Sequence, residues 1–320
     1  MKRYFRIMAA FCGVLSVSAA YSAVPNNDHP ATFLGPTLRG GFNSMLTDTS
    51  AYAISGEAGI RNLRAGGSVG WNIMQAHALK FSAEFLWQQI NYAYFAGNNH
   101  DWANQGAVGA AYQYDLGRYV RFHPQLGLNG YYASASSAAL GTETGTFINS
   151  SGVVQPFTNI QRLAGSHASG ISPGFSIQAW QGMRAGIDLN YDNVRYDMRY
   201  EPSTTAKGWG GTAHLRQQLG DYIAVGASAA VREPFNHYQA ELAWNTLPCY
   251  GAWSLKLIGA YTIGKHSLPN TYNVGFTVDY FLDMMRGIPE EDVKADFLAW
   301  MAKPAVYMPQ VLAIADESVS

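Results

Sequence analysis

Two groups of residues carry the chemistry this sequence offers. The first is His167-Ala168-Ser169. Residues two apart on an extended strand share a face, so the imidazole can act as base to the hydroxyl as nucleophile. The second group is Arg64, Lys80, Glu84, Arg121, Arg184, Asp188, Arg216, Arg232, Glu241, Lys256 and Asp279, which fall on the polar parity of alternating segments. Mixed charges facing a common interior either line a narrow polar channel or neutralise one another in a closed one. Basic residues outnumber acidic ones in this group, which favours weakly anionic solutes. The histidines His77, His100, His123, His214, His237 and His266 stand apart, and neither H-E-x-x-H nor C-x-x-C occurs. No metal, cofactor or phosphate-binding glycine motif is implied.

The elements that must position these residues follow from composition and period. The chain has 320 residues, of which 48% are hydrophobic and only 13% charged, about half the usual charge of a soluble domain. Beyond the first twenty-odd residues no apolar run approaches the ~18 residues of a membrane-spanning helix. With 33 glycines and 20 tyrosines the chain suits strands and turns. The net charge of −1 offers no basic surface for nucleic acid.

The N-terminus reads as a secretory signal peptide over 1–23. Lys2, Arg3 and Arg6 precede the apolar run Ile7–Val17 and the small residues Ser18-Ala19-Ala20. Its removal takes Cys12 with it, leaving Cys249 without an intramolecular partner.

From residue 52 onward, segments of roughly ten residues alternate apolar with small or polar, the signature of a transmembrane β-barrel. In 63–73, Leu63, Ala65, Val69, Trp71 and Ile73 oppose Arg64, Ser68 and Asn72. In 253–263, Trp253, Leu255, Leu257, Tyr261 and Ile263 oppose Ser254, Lys256 and Thr262. The segment 272–282 closes the series with Tyr272, Val274, Phe276, Val278, Tyr280 and Leu282 on one face.

The pattern predicts an all-β fold: a closed antiparallel up-and-down barrel of about twelve strands over 51–283. The expected strands are 52–61, 63–73, 78–90, 104–115, 119–132, 162–178, 183–194, 208–218, 221–232, 237–246, 250–263 and 271–282. The stretch 36–46, within an N-terminal segment 24–50, is an alternative first strand. Gln88-Gln89 breaks the alternation and predicts a bulge. Short turns at 116–118, 181–182 and 219–221 mark one end as periplasmic. The long connections 95–103, 133–161, 195–207 and 264–270 mark the other as external. Both barrel termini are then expected on the periplasmic side.

With its signal peptide, alternating strands and aromatic last strand, the chain resembles small Gram-negative outer-membrane β-barrel proteins. The resemblance implies outer-membrane lipid and lipopolysaccharide as surroundings, the barrel-assembly machinery as a partner in biogenesis, and small polar solutes as cargo. The pair His167 and Ser169 is similar to that of twelve-stranded outer-membrane phospholipases and smaller lipid A deacylases. By the parity of Phe175 and Ile177 it faces lipid, where such enzymes work. It departs from the phospholipase pattern: Gly170 follows Ser169 where an Asn is expected, and 174–180 holds no Asn or Asp to orient the imidazole.

Such barrels end at the aromatic residue of the last strand, yet some forty residues follow Phe281 here. Pro289, Glu290, Glu291 and Asp292 open a helix over 290–302 with an apolar stripe of Val293, Phe297, Leu298 and Met301. The tail 284–320 is expected in the periplasm, covered by the barrel rim in preference to the lumen. The expected function is a narrow porin-like channel and not an enzyme. The alternatives are a structural or adhesive barrel acting through its loops, and a lipid acyl hydrolase using His167 and Ser169.

Overall fold

The structure, a computed structural model, describes residues 32–74, 76–94, 97–116, 122–136, 138–148, 150–180, 182–197, 203–219, 222–246, 252–265, 270–281, 300–301 and 313–319. The expected signal peptide, Arg121 and all of the expected helix but Trp300 and Met301 lie outside the described residues.

The strands are β1 (Thr32–Thr47), β2 (Ser50–Gly59), β3 (Asn62–Ile73), β4 (His77–Tyr94), β5 (Gly97–Asp115), β6 (Gln125–Ala135), β7 (Ala138–Ile148) and β8 (Val154–Trp180). They continue as β9 (Met183–Asp197), β10 (Thr204–Gln218), β11 (Ile223–Val231), β12 (Phe235–Thr246), β13 (Ala252–Gly264), β14 (Thr271–Phe281) and β15 (Ala313–Val319). A transmembrane-like barrel of 13 strands closes in the order β8-β6-β5-β4-β3-β2-β1-β14-β13-β12-β11-β10-β9, with β9 returning to β8.

Two expectations are corrected here. The stretches 36–46 and 52–61 are not alternatives; both are strands, which raises the count from twelve to 13. The sheet is also not wholly antiparallel, because β1 pairs with β14 in parallel, from Thr37 opposite Gly275 to Asn43 opposite Phe281. An odd number of alternating strands leaves the first and last running the same way, so their seam must be parallel. The barrel therefore begins and ends at opposite ends, not both at one.

The turn end carries the connections 48–49, 74–76, 181–182 and 219–222. The loop end carries 136–153, which includes β7, and also 198–203 and 265–270. Two local expectations change. The turn at 116–118 is part of a longer connection to Gln125, in which His123 adopts a positive φ of 40°. Gln88-Gln89 makes no bulge: β4 stays in register with β5 up to Tyr94 opposite Gly97. Its other neighbour, β3, stops at Asn62 opposite Gln88, so beyond that row the hairpin stands clear of the barrel wall and is freed from its alternation.

β8 is the longest strand, at 27 residues. Its second half is barrel wall. Its first half projects past the loop end, where β7 continues the β6 edge and β15 takes the β9 edge, from Ala313 opposite Ala164 to Val319 opposite Thr158.

The alternation sorts side chains as the sequence pattern requires. Leu38, Ile54, Val69, Phe81, Leu126, Phe175, Ile187, Leu242, Leu257 and Phe276 stand exposed on the outer wall. Their strand neighbours turn inward, among them buried Thr37, Asn43, Lys80, Gln105, Asn190, Asp192, Thr277 and Asp279. The core of the molecule is this lumen.

Candidate functional site

One lumenal row crosses the parallel seam. Arg39 on β1 stands opposite Glu57 on β2, and Glu57 opposite Arg64 on β3. In the other direction Arg39 is opposite Thr277 on β14, which is opposite Lys256 on β13. Strand alternation puts these five on one face, and the in-register ladder puts them side by side. They border a cavity of about 480 Å³ that also receives His214, Arg216, His237, Glu241 and Asp279.

Pairing among these groups is partial. Lys256 Nζ lies 3.0 Å from Asp279 Oδ2, Arg216 Nε 4.0 Å from Glu241 Oε1, and His214 Nδ1 3.7 Å from Asp188 Oδ2. Glu57 Oε1 accepts from the Asn62 amide at 2.7 Å, and Arg39 donates to Ser55 Oγ at 3.3 Å. Among the described residues Arg64 has no ion pair, and its buried Nε, like that of Arg39, has no hydrogen-bond partner. Four cationic side chains (Arg39, Arg64, Arg216 and Lys256) face three carboxylates (Glu57, Glu241 and Asp279) around the cavity. Within this cavity's lining the surplus is one positive charge, at the Arg39–Glu57–Arg64 row, and Glu84 borders the adjoining recess with Arg39.

Nearer the turn end the same side of the lumen, on β1 to β5 and β14, receives Trp300 and Met301 of the tail. Lys80 Nζ donates to the carbonyl oxygen of Trp300 at 2.7 Å and lies 4.4 Å from that ring's centroid. Ser68 Oγ donates to the Met301 carbonyl at 3.2 Å. Met301 is buried with Ala51, Ala53 and Phe281, beside Met45 and Ala78, while Trp300 packs on Ala111. Gly70 makes the seat possible, because a Cβ there would come within 2.5 Å of Met301 Sδ. For these two residues the expectation of a tail covered by the rim is corrected: the lumen covers them. The reason is a patch of alanines on the lumenal parity of β2 and β5, which removes little water until apolar side chains cover it. Burying Met301 there is worth about 1.5–3 kcal/mol.

A third cluster closes part of the lumen toward the loop end. Arg232, in the connection after β11, donates through Nε to Asp192 Oδ2 at 2.8 Å and through Nη2 to Oδ1. Tyr131 donates to the same carboxylate at 2.6 Å, and the guanidinium lies 5.6 Å from the rings of Tyr131 and Phe235. Gly170 admits this contact: a Cβ would stand 2.4 Å from Tyr131 Cε1 and 2.9 Å from Asp192 Oδ1. Lys265, just beyond β13, donates to the Arg232 carbonyl at 2.6 Å. Burial pushes the Lys265 pKa below its ordinary value, against the opposing pull of Glu233.

His167 and Ser169 face outward on β8, as their parity predicts. The structure does not join them. His167 Nδ1 pairs with the Tyr132 hydroxyl at 2.9 Å, and Nε2 lies 3.3 Å from Asp197 Oδ2. Both imidazole nitrogens are thus engaged with groups other than the Ser169 hydroxyl.

The remaining expected lumenal residues lie where alternation puts them. Arg184 donates to Gln125 Oε1, and buried Glu84 Oε2 has no hydrogen-bond partner among the described residues. Arg232 is lumenal but lies beyond its strand. Sequence reasoning missed Arg39, Glu57 and Asp192, although all three share their strand's polar parity. It also missed the seat, whose signal was Ala51, Ala53 and Ala111 at positions where a lumen is usually polar. Among the described residues no three His, Cys, Asp or Glu side chains converge as a metal ion would need. No known family pattern matches the chain, and no curated protein is detectably similar to it.

Proposed function

We propose that the protein is an outer-membrane barrel that passes small anionic solutes through a narrow lumen, restricted by its own C-terminal segment. The observation that carries this reading is the Arg39–Glu57–Arg64 row: two guanidinium groups around one carboxylate, bordering a polar cavity inside a wall that is apolar outside. An exterior of Leu, Ile, Phe and Trp this extensive is a liability in water and an advantage in hydrocarbon. A surplus of fixed positive charge in a confined, poorly screened passage raises the local concentration of anions. The long connections then face outside and the turn end faces the periplasm. The role is transport, not catalysis, in keeping with an imidazole whose nitrogens are taken.

Purified full-length protein in planar bilayers tests it. Conductance steps with a reversal potential favouring anions are expected, and Arg39→Glu/Arg64→Glu should move the preference toward cations. Absence of steps both in the whole chain and after removal of residues 286–320 would overturn the channel reading in favour of a closed surface barrel.

A further inference from the structure

The outer wall changes character in one sector at the loop end. Across β8, β9 and β10, His167 stands opposite Arg195, and Arg195 opposite Thr205. One row nearer the turn end, Ser169 is opposite Asn193, and Asn193 opposite Lys207. The row after that is Ile171, Tyr191 and Trp209, with the Tyr191 and Trp209 rings edge to face at 5.1 Å. Below it the wall is apolar, through Leu189, Phe175 and Ile187. Two polar rows therefore stand directly above an aromatic row. At the loop end of β13 and β14 the outward residues are Tyr261, Ile263 and Tyr272 instead, so that part of the wall lacks the cations of this sector.

We propose that this sector binds the phosphate of an anionic lipid headgroup, held between Arg195 and Lys207; the inference rests on the barrel being membrane-embedded. Aromatic rows of barrels lie at the membrane interface, so side chains one or two rows above them reach headgroup depth. Arg195 and Lys207 are diagonal cross-strand neighbours, a Cα spacing of ~7–8 Å that one phosphate bridges with a charge-assisted hydrogen bond to each. Arg195 is paired through Nε with Asp197 at 3.0 Å, and His167 draws on the same carboxylate, which orients the guanidinium while its side chain stays 62% exposed. Lys207 is exposed and has no ionic partner among the described residues. The Asn193 amide and Ser169 hydroxyl, on the same row as Lys207, add neutral donors. This assigns a use to Ser169 and to the network around His167 that requires no reaction.

The test is equilibrium binding of diphosphorylated lipid A to the full-length protein in detergent, alongside dephosphorylated lipid A and inorganic phosphate. The phosphorylated lipid should bind at least tenfold tighter than the dephosphorylated one, and far tighter than inorganic phosphate. Arg195→Gln/Lys207→Gln should lose that preference, whereas Lys207→Arg should keep it. Heat-modifiable gel migration confirms that each variant is a folded barrel. Undiminished phosphate preference in the folded Gln variant overturns the site while leaving membrane embedding intact. Equal binding of inorganic phosphate overturns the lipid assignment. A chain that partitions into water without detergent overturns the membrane reading and this inference with it.

Discussion

The ammonium of Lys80 and the carbonyl oxygen of Trp300 meet at 2.7 Å across 220 residues of sequence, inside the barrel. A hydrogen bond to a charged group contributes ~1.5–3 kcal/mol. Lys80→Met keeps the bulk of the stem and removes the donor. The tail should then undock more often, seen as a several-fold rise in mean conductance and faster proteolysis beyond Phe281. Deleting residues 286–320 should raise conductance further, whereas a rim-bound tail implies no change.

Arg232 and Asp192 are both buried. Removing one partner of a buried pair strands the other's charge, at a cost of about 3–5 kcal/mol. Arg232→Met should therefore lower the denaturant midpoint of the barrel markedly. Arg232→Met/Asp192→Asn should recover much of the loss, because no uncompensated charge remains.

Gly170→Ala places a methyl within 2.8 Å of the Tyr191 carbonyl as well as against Tyr131 and Asp192. Backbone on one side and a hydrogen-bonded pair on the other leave it little room. The expected cost is ~1–3 kcal/mol by thermal unfolding, with the Tyr131–Asp192 bond as the casualty. Gly259→Ala, whose Cβ meets nothing within 4 Å, should be close to neutral.

Leu257 is 50% exposed on the outer wall, opposite Leu242 and Phe276. In a bilayer Leu257→Arg should cost about 2–4 kcal/mol and reduce the heat-modifiable fraction. If the mutant folds as well as the parent in lipid vesicles, this part of the wall does not face hydrocarbon.

Much of this was legible in sequence because a strand's period is two. Once Leu63, Val69 and Trp71 are placed outward, Arg64 must be inward, and the same logic turns Lys256 and Asp279 inward. Strand number was not legible, since 36–46 and 52–61 alternate equally well and no local signal says whether one or both join the sheet. The tail was misplaced for a related reason. Alternation reports which face a residue occupies, not what lies against that face, so lumenal alanines looked like tolerated small residues and not a seat. The outward His167 was placed correctly, but its partners Tyr132 and Asp197 come from other strands, and no spacing in sequence announces them.

The described pieces of the tail stand in order along the barrel axis: Phe281 at the turn end, Trp300 and Met301 in the lumen, and β15 at the loop end. A barrel that holds Trp300 and Met301 of its own chain inside is rare topology, because connections seldom thread closed loops. It sets the order of assembly as a kinetic question. Either the seam between β1 and β14 zips shut around a segment already in place, or the last forty residues must reptate through a finished bore. A folded domain fused after Ser320 separates the routes. It is harmless if the ring closes last, and it strands the tail on the wrong side if the ring closes first.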